Sequence, residues 1–138
     1  MDLGHWLYHE NFPKKSCYGF IYEITNLASK RIYIGKKQIQ KIIKRPPLKG
    51  KKNKRHLITE SDWKVYTGSC NELNNDIQIH GKDNFNFKML KLCNNKWELA
   101  YEEAKLQFEL GVLLSDNYYN GIINCRIGKK PLDRSRKK

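Results

Sequence analysis

The chain has 138 residues, of which 39% are hydrophobic and 12% aromatic, a composition that suits one domain with one core and excludes a disordered polyelectrolyte. Lys and Arg number 27 against 14 Asp and Glu, a formal charge of +13. Such an excess opposes compaction unless a polyanion relieves it, so nucleic acid is the first partner to consider. No apolar run is long enough to span a bilayer, and residues 1–15 lack the apolar stretch of a secretory signal. A membrane partner is therefore set aside and a cytoplasmic protein is expected. The cysteines, Cys17, Cys70, Cys93 and Cys125, show no CxxC spacing, as free thiols would and a zinc site would not.

Residues 1–16 mix aromatic and polar side chains and read as an irregular arm. Residues 18–26 are β-branched and aromatic and predict a strand, with Phe20, Tyr22 and Ile24 on one face and Ile21 on the other. Residues 31–35 predict a second strand, joined to the first by a short polar turn as a hairpin. Residues 36–57 are the most basic stretch and read as a short helix ended by Pro46-Pro47, then a charged loop, together an insertion. Thr59-Glu60-Ser61-Asp62 resembles a helix start, with Trp63, Tyr66 and Val65 packing inward. A second helix is expected from Ser69, with Leu73, Ile77 and His80 on one face and Gly81 closing it. Residues 83–93 alternate Phe85, Phe87 and Met89 and predict a third strand. Residues 97–114 predict a long amphipathic helix, and residues 117–128 a turn and a short final strand. Residues 129–138 form a basic tail. The fold class expected is α+β: a small three-stranded antiparallel sheet flanked by helices, in one domain spanning 1–138.

Within the hairpin stand Gly19-Phe20-Ile21-Tyr22 and Tyr33-Ile34-Gly35. Either alone is ordinary strand sequence. Together, with a carboxylate-bearing helix downstream, they resemble the GIY-YIG nuclease family. The second motif matches letter for letter, whereas Phe20 is inserted in the first. Counting back from Tyr33, Tyr22 is the motif tyrosine and Tyr18 lies outside the site.

The resemblance implies hydrolysis of DNA phosphodiesters with one divalent cation, Mg²⁺ or Mn²⁺, held by one glutamate. A hard cation takes carboxylate and phosphate oxygens and stabilises charge on the leaving oxygen. Of Glu98, Glu102, Glu103 and Glu109, Glu103 shares a helix face with Leu99, Leu106, Gln107 and Leu110 and is the expected metal ligand, with Glu102 its competitor. The family's arginine falls nearest Arg45, or Arg55 if the loop 46–54 displaces the site; its planar fork suits a phosphate. Tyr22 or Tyr33 is the expected general base, its phenol lowered by Lys36, with His56 as the other titratable candidate. The family's asparagine falls at Asn120, with Asn124 second. Lys36, Lys37, Lys41, Lys44, Arg45, Lys51, Lys52, Lys54 and Arg55 are the expected phosphate contacts.

The partner expected is double-stranded DNA, bound by a monomer or homodimer. The enzyme type implied is a free-standing phage or mobile-element nuclease of the homing kind, acting in the host cytoplasm. A non-catalytic basic nucleic-acid-binding protein explains the charge equally well, but not the tyrosine pair with Glu103.

Overall fold

The computed structural model describes residues 2–10 and 17–131. Among these the chain forms β1 (Leu7–Tyr8), β2 (Gly19–Asn26), β3 (Ile32–Gln38), β4 (Gln40–Arg45), β5 (Arg55–Glu60), α1 (Asn71–His80), β6 (Phe85–Cys93) and α2 (Lys96–Leu110), with short 3₁₀ turns at Trp63–Val65 and Lys82–Asn84. β6, β2 and β3 make the expected antiparallel sheet, and β1 adds a two-residue parallel edge, giving the order β1-β6-β2-β3. The architecture is α+β, with one helix against each face of the sheet's core.

The alternation of β2 decides which core each side chain joins. Phe20, Tyr22 and Ile24 point to one face, with Trp6, Trp63, Leu73, Phe87 and Met89. Ile21 points to the other, with Ile34, Leu99 and Val112, beneath α2. The inserted Phe20 leaves the hairpin in step: Phe20 faces Lys37, Ile21 faces Lys36 and Tyr22 faces Gly35. The irregularity lies on the other side, where the register of β6 against β2 shifts between Ile21 and Tyr22 and leaves Leu90 extra. A bulge inverts the facing of the residues beyond it. Phe87 and Met89 therefore face the first core, Leu90 the second, and Leu92 the first again.

Several sequence expectations change. The arm is not wholly irregular: Trp6 is buried, its indole N–H donates to the Trp63 carbonyl, and Leu7–Tyr8 pair with β6. Phe12 and Pro13 of that arm, and residues 132–138 of the tail, lie outside the described residues. The expected helix after Gly35 is absent; β3 runs on to Gln38, and residues 40–60 form a β4–β5 hairpin whose turn contains Pro46-Pro47. Thr59 and Glu60 end a strand rather than start a helix, and Val65 is exposed while Trp63 is buried. α1 begins at Asn71 and stops at Gly81 as expected, but His80 is exposed. α2 stops at Leu110 because Gly111 takes the left-handed conformation at φ 63°, so Leu113 and Leu114 are exposed instead of extending the apolar face. Its start is capped by Asn95, whose side-chain Oδ1 accepts from the Glu98 N–H at 2.8 Å. The final strand reduces to one bridge between Ile32 and Tyr118.

β3 would be an open edge, and the chain after α2 covers it. The Ile32 N–H donates to the Asn117 carbonyl and the Tyr119 N–H to the Ile32 carbonyl. Next along, the Asn120 side chain takes the place of a strand: its Oδ1 accepts from the Ile34 N–H at 3.0 Å and its Nδ2 donates to the Ile34 carbonyl at 2.8 Å. Asn120→Ala leaves a buried N–H without a partner, so denaturant unfolding should show a loss of about 1–3 kcal/mol.

Candidate active site

Tyr22 and Gly35 sit directly opposite in the hairpin. A Cβ placed on Gly35 would fall 2.5 Å from the Tyr22 hydroxyl and 2.9 Å from the Tyr33 ring, so only glycine lets both rings lie across the hairpin. Gly68, at φ 86°, brings Tyr66 and Ser69 to the same place; its own Cβ position is 3.3 Å from the Tyr22 hydroxyl and from the Tyr33 ring. Gly19 acts differently. A side chain there would strike the Lys37 carbonyl and Leu99, so this glycine sets the approach of β3 and α2 to β2.

Together these elements enclose a cavity of about 250 Å³. Tyr22 and Tyr33 line it from the hairpin, Lys36 from β3, Tyr66 and Ser69 from the loop before α1, Glu103 and Gln107 from α2, and Ile122 and Asn124 from the chain after α2. The Glu103 side chain is 13% exposed and its Oε1 lies 3.6 Å from Lys36 Nζ. Burial raises the Glu103 carboxyl above its ordinary range, and Lys36 pulls it partly back. Tyr22 is 1% exposed and Tyr33 is less enclosed, its hydroxyl 3.3 Å from that of Ser69. Burial is the first cause raising both phenols, that of Tyr22 to well above 10. The expectation that Lys36 lowers a tyrosine is thus reversed: its ammonium pairs with Glu103, and desolvation governs the phenols.

A family profile described as "Putative endonuclease segE, GIY-YIG domain" matches residues 6–123. The chain belongs to the GIY-YIG endonuclease family. It is accordingly a DNA endonuclease, a phosphodiester hydrolase, and the family is in general dependent on divalent metal. No curated protein and no solved structure matched significantly.

The cavity of this nuclease brings together Tyr22, Tyr33, Lys36 and Glu103 from the sequence-derived set. Glu102, the competing carboxylate, lies outside the cavity lining and pairs with Lys91 at 2.9 Å. Arg45 and Arg55 face one another at the far end of the β4–β5 hairpin, and His56 sits exposed beside them on β5. They are separated from the cavity because the segment expected to bring them back is a strand leading away. Among the described residues, Lys36 is the cation that lines the cavity, and no arginine does. Asn120 is turned onto the Ile34 backbone, while Asn124 reaches the cavity wall. Lys37 is held by Asp62 at 2.7 Å and lies over the Tyr66 ring, so it is a structural cation rather than an open phosphate contact. Tyr66 and Ser69 escape sequence reasoning as site residues; the signal for them is Gly68, which turns the chain toward the tyrosine pair.

The residues present fit a divalent cation. Among the described residues no three His, Cys, Asp or Glu side chains cluster, so Glu103 would be the protein's carboxylate ligand, with water and phosphate completing the sphere. Mg²⁺ is commonly held that way. The Lys36 ammonium beside Glu103 marks the place as one where positive charge is favoured. Gln107 adds a buried Oε1 with no hydrogen-bond partner among the described residues, in the same lining as Glu103.

A raised carboxyl has a cost in stability. The folded state holds the Glu103 proton more tightly than the unfolded state does, so this group's contribution to metal-free stability is fully present below its unfolded pKa and is lost as pH rises through the folded one. Glu103→Gln should therefore raise the metal-free melting temperature at pH 7 by a few degrees. Divalent cation should raise the wild-type melting temperature and leave the variant's unchanged. Gly35→Ala should do the reverse of a stabilising change, lowering the melting temperature and abolishing plasmid cutting, because the buried Tyr22 ring cannot yield into the packed core.

Proposed function

We propose that the chain cuts double-stranded DNA with one Mg²⁺ or Mn²⁺ ion held at Glu103. The observation that carries this reading is that Glu103 reaches the same small cavity as both motif tyrosines. When bound, the cation polarises the phosphate and stabilises the leaving oxygen. The protein groups divide the remaining work. Lys36 attracts the scissile phosphate into the cavity and holds Glu103 ionised before metal arrives. Tyr33, the more accessible of the pair, places its hydroxyl on the attacking water or the phosphate, steadied by Ser69. Tyr22 supports it from the core: its ring fills the space over Gly35, and its burial keeps its own phenol protonated.

Supercoiled plasmid tests the proposal. Nicking or linearisation with Mg²⁺ or Mn²⁺, its loss in chelator, and a fall of about 10²-fold or more for Glu103→Ala are expected. Intact plasmid across several metals, or full cutting by Glu103→Ala, would overturn it. The homing-type role expected from the sequence has its own readout in the cut ends on long DNA: ends gathered at one site support it, dispersed ends count against it.

The rate should also fall on mild acidification. Glu103 gains its proton at higher pH than an ordinary carboxylate, and a protonated carboxyl releases the cation. Excess metal should shift the acidic limb of the pH–rate profile to lower pH; an acidic limb unmoved by metal concentration would assign it to another group.

A further inference from the structure

We propose that the β4–β5 ribbon lies in the major groove of the DNA and reads its sequence, with Ile42 and Ile58 against thymine methyl groups. The inference rests on the DNA-cutting reading above and concerns a part of the molecule remote from the cavity.

The ribbon is unusual in what it exposes. Its two strands alternate so that Ile42 stands opposite Ile58 and Lys44 opposite His56 on one face, with Gln40 and Glu60 at its root, while Lys41, Arg45, Arg55 and the less exposed pair Ile43 and Leu57 lie on the other. Ile42 is 57% exposed and Ile58 69%. A hairpin meeting only water gains nothing from two large aliphatic side chains side by side at its middle. Around them is dense positive charge: Lys44 and Arg45 at the end of β4, and Lys49, Lys51, Lys52 and Lys54 in the turn. That charge selects the occupant. It repels a second copy of this chain and attracts a polyanion.

DNA's major groove admits a two-stranded β-ribbon and presents the thymine methyl as its one apolar feature. An apolar pair on the groove-facing side, flanked by Lys44 and His56 as donors to base acceptors, matches that surface. The cations of the other face and the turn remain for the phosphates along the groove walls.

The ribbon is also held in a fixed relation to the cavity. It continues from β3, the strand that carries Tyr33 and Lys36. Its root is pinned where the buried Ile39 donates its N–H to the Tyr18 carbonyl at 2.8 Å and accepts at its own carbonyl from the Ser61 N–H at 2.8 Å. At about 3.3 Å per residue, Arg45 lies at most about 30 Å from Lys36. The bases read should then fall within about nine base pairs of the bond cut.

The test separates reading from cutting. A pool of random duplexes is selected for binding by wild-type protein in chelator, and each thymine of the selected duplex is then replaced by uracil, which removes the methyl alone. The expected result is a selected sequence in which one or two uracil positions weaken binding about fourfold each. Ile42→Ser/Ile58→Ser, with its melting temperature checked against wild type, should bind the thymine duplex as weakly as wild type binds the uracil one, and should lose its sensitivity to uracil. Selection without any sequence preference, uracil tolerated everywhere, or uracil sensitivity retained in the variant would overturn the proposal. So would a shift from dimer to monomer caused by the variant, since the pair would then be a protein contact. Binding is read without cleavage, so a protein that reads thymine yet never cuts would sink the nuclease proposal alone. One that cuts but reads nothing would sink only this one.

Discussion

The site depends on a steric allowance at one residue. Tyr22 occupies the volume that any side chain at position 35 would need, because the hairpin register sets the two opposite each other. That single packing relation orients Tyr22 toward Tyr33, and Gly68 closes over both from the loop before α1. The carboxylate on α2 then meets a surface already shaped. Every later feature of the cavity, from the raised Glu103 carboxyl to the Lys36 ammonium beside it, follows from burying two phenols and a glutamate in one small space.

The sheet divides the labour between its faces. Alternation in β2 sends aromatic residues to one core and Ile21 to the other, and the extra residue at Leu90 lets β6 serve both. The candidate site lies at one rim of this slab, where β3, α2 and the chain after α2 converge on Ile34. Its carbonyl accepts from both Gln107 and Asn120, so the helix bearing Glu103 and the segment bearing Asn124 are referred to the same backbone atom.

Where local chemistry alone decides structure, the sequence is legible. The hairpin, α1 with its glycine stop, and the inward face of α2 at Leu99 and Glu103 are set by periodicity and by residues in contact along one element. The ribbon misleads for a physical reason: Ile39, Ile42 and Ile43 have the spacing of a helix face, and a two-proline break suits a helix end as well as a hairpin turn. Pairing with residues 55–60 settles the conflict in favour of strand, and no local pattern carries that information. The same ambiguity places the expected phosphate clamp, Arg45 or Arg55, and the base candidate His56 on the ribbon, away from the cavity. Tyr66 and Ser69 stay hidden because their contact with Tyr22 and Tyr33 is long-range and turns on the positive φ of Gly68.

The cover over β3 has a consequence for the moment of synthesis. On a ribosome the hairpin emerges before Asn117, Tyr119 and Asn120, which close its outer edge, and before Ile122 and Asn124, which line the cavity. Until then the strand bearing Tyr33 presents open backbone groups and the cavity lacks its Asn124 wall. Assembled in this order, the cavity is incomplete until the chain after α2 has folded onto β3. A chain truncated before residue 117 would lack the Asn124 wall and leave the edge of β3 open to pairing with other chains.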